Sequence, residues 1–142
     1  MKKVQLTREF VDTVNGTLEE LYETFKHKNI QTGFHNREGG SVAVVKERKI
    51  LISLLEVWNY HQEGLKADDV LKTIFLHELG HILSDDDGLY KESDDFSAVL
   101  MNEHYAWDFA DELRLTHKIR VSHDTWNELK KQALNSYSIG GE

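Results

Sequence analysis

The sequence predicts a single α+β domain, with an N-terminal amphipathic helix and a β-hairpin or small sheet followed by three further helices. Three observations carry that expectation. Apolar residues recur at helical spacing in several separate stretches, whereas one region alone carries paired β-branched runs of strand length. The 142 residues match one ordinary domain, so residues 1–142 are read as one unit. There is no proline, so no helix is forced to break for want of an N–H donor.

Phe10, Val14, Leu18, Leu21 and Phe25 follow at spacings of four and three, forming one face of a helix that Thr7 can cap. Gly16 lies inside the pattern, an unfavourable residue for an unbroken helix. Lys26 to Gly40 is polar, contains three glycines, and reads as loop with room for a short strand. Ser41–Lys46 and Ile50–Leu55 flank Glu47-Arg48-Lys49, which predicts a hairpin with a three-residue turn. Trp58–Lys66 is polar and aromatic by turns and reads as a connection.

Asp68 and Asp69 suit a first helical turn, where the dipole favours acids, and they introduce Val70–Leu83. That segment is apolar almost all round, so its helix should be central and buried. A charged loop, SDDDGLYKESDD, separates it from a helical pattern between Phe96 and Leu115. The last helix runs from a Ser122 cap through Trp126, Leu129, Ala133 and Tyr137 to a stop at Gly140 and Gly141.

Composition narrows the chemistry. With no cysteine there is no disulfide, iron–sulfur cluster, thiol catalysis or cysteine-ligated zinc. Twenty-five acids against 17 bases give a net charge of −8, and no basic stripe offers a surface for nucleic acid. No window resembles a membrane span, and no apolar run follows Lys2 and Lys3 as in a signal peptide. These readings lead us to expect a soluble cytoplasmic protein with protein partners.

One stretch carries chemistry. His77-Glu78-Leu79-Gly80-His81 places two histidines at i and i+4 on one helix face, about 6 Å apart and able to share a metal ion. Imidazole suits zinc, and Glu78, beside the first ligand, can act as the base on a water. The competing reading is a metal-free core in which these polar groups hydrogen-bond one another. A catalytic site needs a third protein ligand, and Glu103 fits. Its helical neighbours Val99, Leu100, Ala106, Trp107 and Ala110 are all apolar, and a carboxylate in such a stripe is costly unless a positive charge meets it. Gly80 and Ala106 would let the two helices approach closely. Rival ligands are Asp87, which falls in the frame HExxHxxGxxD with Ser84 in the glycine position, and the remaining acids of the loop. That loop is a solvated face or a cation or basic-substrate site. His104 falls one position off the Glu103 stripe, beside Asp108 at i+4.

HELGH followed by Glu103-His104-Tyr105-Ala106-Trp107-Asp108-Phe109-Ala110 resembles the ImmA/IrrE family of zinc metallopeptidases, which pair HExxH with a downstream E-x-x-A-x-x-F-A helix. The match covers residues 5–116, the preceding helix and hairpin being in the family's order. The resemblance implies a small zincin-like fold of gluzincin type, one zinc on His77, His81 and Glu103, and Glu78 as catalytic base. It also implies an intracellular endopeptidase acting on a helix-turn-helix repressor. The chain departs from the pattern at Trp107, where members commonly carry a small polar residue that can partner a ligand histidine.

Zinc would not be the only oxyanion stabiliser such a hydrolase needs; Tyr90, Tyr105, His117 and His123 are the candidates. The hairpin is a candidate edge for an extended substrate. The alternative to an enzyme is a metal-binding docking protein with weak or no peptidase activity.

Overall fold

The computed structural model describes residues 5–138. Helix α1 spans Arg8–Phe25, its first turn capped where the Phe10 N–H donates to Thr7 Oγ1 at 3.1 Å. Gly16 does not interrupt it, because the stripe from Phe10 to Phe25 is buried along its whole length and outweighs one unfavourable residue.

Three strands follow: β1 (Gln31–His35), β2 (Val42–Val44) and β3 (Lys49–Ser53). Their order is β1-β3-β2, with β1 parallel to β3 from Gln31↔Lys49 to His35↔Ser53. The predicted hairpin is present, with Val42 opposite Leu51 and Val44 opposite Lys49, but its strands are shorter and its turn longer than expected. Val45–Glu47 forms a turn of 3-10 helix, and Arg48 closes it in the left-handed region at φ 53°. Arg48 is held there by its own side chain, which donates to the Lys28 and Asn29 carbonyls and pairs with Asp86.

The stretch expected to be a connection is helical. Helix α2 covers Leu54–Gln62, so Leu54 and Leu55 leave the strand run and start a helix. Ser53 is the switch, its hydroxyl accepting from the Glu56 N–H at 3.1 Å. Val57 is buried, and Trp58 packs edge-on against Phe10 at 4.9 Å.

Helix α3 (Ala67–Asp86) is the central element and packs against α1, α2, β2 and β3. Along it Val70, Leu71, Phe75, Leu76, Leu79 and Ile82 have no exposed surface, as its all-round apolarity predicted. It continues through Ser84 to Asp86, the first residues of the stretch expected to be loop. Helices α4 (Phe96–Thr116) and α5 (His123–Ser138) cover its other side; the stop expected at Gly140 and Gly141 lies outside the described residues.

Gly80 sets the distance between α3 and α4. A Cβ there would overlap the Ala106 carbonyl, 2.9 Å from its carbon, so the two backbones touch where alanine could not fit. No helix among the described residues is long and apolar enough to cross a membrane.

Candidate metal centre

The seam between α3 and α4 brings His77, His81 and Glu103 together. One ligand atom from each lies within 4.8 Å of the other two. His77 Nε2 is 3.0 Å from Glu103 Oε1, and His81 Nε2 is 2.8 Å from Glu103 Oε2, so one carboxylate bridges both rings. The side chains are 13%, 11% and 9% exposed, dry enough that charge among them must be balanced locally. His77 and His81 meet because they are one helical turn apart; Glu103 meets them because Gly80 and Ala106 admit its helix.

Glu78 completes the cluster. Its carboxylate lies 3.3 Å from His77 Nδ1 and lines the same cavity. Burial pulls the His77 pKa down, but the charge of Glu78 and the hydrogen bonds with Glu103 and Glu78 outweigh it and push it up to about 10. Burial pushes Glu103 up, and its bonds to His77 and His81 override that and hold it down at about 2. Without a metal, then, the seam holds an imidazolium against a carboxylate.

The donor set fits a metal. The donors are two nitrogens and one oxygen, a set suited to zinc or a similar divalent ion. His81 turns Nε2 to Glu103, and its Nδ1 is buried with no hydrogen-bond partner.

The triad opens on a cavity of about 600 Å³. It is lined by Ile74, Val99 and Trp107 of the α3–α4 seam and by Val42 and Ala43 of β2 with Ser41 just before it. Helix α5 adds Leu129, Gln132, Ala133 and Ser136 to the lining and is bridged to α2 where Tyr60 Oη donates to Gln132 at 2.9 Å. Tyr90 lines the cavity, its ring edge-on to His81 at 6.2 Å. Its segment is tied down at the next residue: Asn102, itself buried, accepts from the Lys91 N–H and donates to the Lys91 carbonyl at 3.0 and 2.8 Å.

The rival residues lie elsewhere. Asp87 is exposed just past the end of α3, because the helix runs straight through Ser84 instead of turning back toward the histidines. Ser84 is buried and donates to the His81 carbonyl at 2.9 Å. Asp85, Asp86, Glu92, Asp94 and Asp95 are exposed and form no ligand group among the described residues. His104 and Asp108 face outward. Of the oxyanion candidates, Tyr105 does not line the cavity, His117 packs edge-on against Phe25 at 4.7 Å, and His123 is exposed at the start of α5. Sequence reasoning missed Asn102 and the whole α5 wall, because their partners are far along the chain and no local spacing signals them.

No protein-family model, curated protein or solved structure matches this chain.

Proposed function

We propose that the protein is a zinc-dependent metallo-endopeptidase, one zinc per chain, hydrolysing a peptide bond in a cytoplasmic protein. The observation that carries this reading is the convergence of His77, His81 and Glu103 on a cavity that also holds a buried carboxylate, Glu78. Zinc held by that triad would polarise a carbonyl and bring the pKa of a bound water toward 7. Three protein donors without cysteine are the set of a catalytic site and not of a closed structural one.

The chain's own groups supply the rest. Glu78, exposed to the cavity and buried from bulk water, takes a proton from the attacking water and passes it to the leaving amine. β2 pairs with β3 on one side only, so its other edge, bordering the cavity, can hydrogen-bond an extended peptide as an added strand. Of Tyr90, Tyr105, His117 and His123, Tyr90 alone lines the cavity, and its hydroxyl is the donor we assign to the developing oxyanion. The resemblance to the ImmA/IrrE family points to a helix-turn-helix repressor as substrate.

Elemental mass spectrometry of the purified protein beside Glu103→Ala tests the metal: about one zinc per chain is expected in the first and little in the second. Glu78→Gln should keep that zinc and lose cleavage of co-expressed repressors. A second reading, a metal-binding docking protein, draws on the 3.3 Å approach of Glu78 to His77 Nδ1, which occupies the base with a ligand. Partner regulation that survives Glu78→Gln would favour it.

A further inference from the structure

A histidine that binds a metal through one nitrogen is ordinarily held in place by a hydrogen bond at the other. This site has little of that. His81 Nδ1 has no partner, and the group beside His77 Nδ1 is Glu78, the residue reserved for proton transfer. Glu78 is thus the one polar group at that nitrogen, and a large aromatic surface lies against the same ring.

The Trp107 indole stacks face to face on the His77 imidazole, centroids 4.5 Å apart and planes inclined by 15°. Trp107 is 2% exposed, and its Nε1 has no hydrogen-bond partner, so no polar contact accounts for its position. It is braced from behind by Trp126, edge-on at 5.6 Å and 85°. Trp126 is fixed in turn: its Nε1 donates to Asp111 at 2.8 Å, and the Arg114 guanidinium lies 4.3 Å over its ring. Asp111 is anchored by Lys130 at 3.0 Å. A column of rings thus runs from α5 through α4 to the first ligand on α3.

We propose that Trp107 is a positioning residue for the metal, fixing the His77 ring by stacking where other sites use a hydrogen bond. The physical reason is geometric. A ring stacked on a buried, braced indole cannot turn about its Cβ–Cγ bond without losing that contact, so Nε2 stays aimed at the triad. Coordination also draws electron density from the imidazole, which strengthens its attraction to the electron-rich indole face. By reciprocity, whatever the metal adds to the stack the stack adds to metal affinity. This inference rests on the metal reading, and the experiment separates the two.

Zinc affinity is measured by chelator competition on the whole chain and on Trp107→Phe and Trp107→Leu, with circular dichroism of each metal-free protein. Leucine, which cannot stack, should weaken zinc by about tenfold or more, the scale seen when a ligand's supporting partner is lost; phenylalanine should recover most of it. In Trp126→Phe, tryptophan emission should respond to one equivalent of zinc, and in Trp107→Phe that response should vanish. A folded Trp107→Leu protein with unchanged zinc affinity would overturn the proposal. So would a Trp126→Phe protein that binds zinc with no change in tryptophan emission, a readout that decides the matter even where the leucine variant does not fold. A parent protein that binds no zinc would remove the metal reading and this inference together.

Discussion

Two acidic regions of this molecule are built from the same residue types and behave in opposite ways. The end of α3 and the loop after it, with Asp85, Asp86, Asp87, Glu92, Asp94 and Asp95, hold more carboxylates than the seam, yet all of them are exposed. The seam holds two, Glu78 and Glu103, and both are 7% exposed. Water solvates the first set, and the ion pairs of Asp86 with Arg48 and of Glu92 with Lys46 lie at the surface. The second set is out of water, so each carboxylate must be met by imidazole or by a metal. Burial beside complementary donors, and not the number of acids, separates a candidate metal centre from a solvated surface.

The largest expected contrast is in metal affinity. Glu103→Ala should weaken zinc by about a hundredfold or more, whereas Asp87→Ala should leave it unchanged; equal losses would erase the distinction between the regions. Gly80→Ala comes next, because its methyl group must push α4 away at Ala106. A loss of about 1–3 kcal/mol, read from denaturant unfolding, is expected together with weakened zinc binding.

The seam should also set a pH dependence that the loop does not. His77, raised from 6.5 to about 10, stabilises the metal-free fold fully below pH 6.5 and loses that contribution as pH rises through 10. Glu103, lowered from 4.5 to about 2, contributes fully above pH 4.5 and loses its contribution as pH falls through 2. Metal-free melting temperature should therefore fall from pH 6.5 toward 10. The stabilisation added by zinc should rise over the same interval, since His77 must shed its proton to bind. Parallel curves with and without zinc would break the link between the two.

Asp86→Ala is the smallest effect with a cause. It removes the Arg48 pair at side-chain exposures of 31% and 39%, so about 0.5 kcal/mol or less is expected, with zinc affinity intact.

The helices α1, α3, α4 and α5 were legible because each carries its stripe within its own residues. The seam's contents were legible for the same reason: HELGH is local, and Glu103 declares itself by five apolar neighbours. Helix α2 was not read, although Ser53-Leu54-Leu55-Glu56 is a capping signal; the apolar run Ile50–Leu55 conceals the change of period behind it. β1 was barely visible, since Gln31–His35 has little β-branched character and is held by parallel pairing to a strand on the far side of the hairpin.

By itself, then, the amino-acid order determined which helices form, which one is buried, and which residues can bind a metal, because helical periodicity and ligand spacing are properties of neighbouring residues. The tertiary structure brought Glu103, already marked by its apolar neighbours, to the histidines and left Asp87 exposed past the end of α3. It also decided that Trp107 stacks on His77, that Asn102 pins Lys91, and that α5 closes the cavity. Those outcomes depend on how closely two helices can pack, and the Gly80–Ala106 contact that governs it exists only once both backbones are in place.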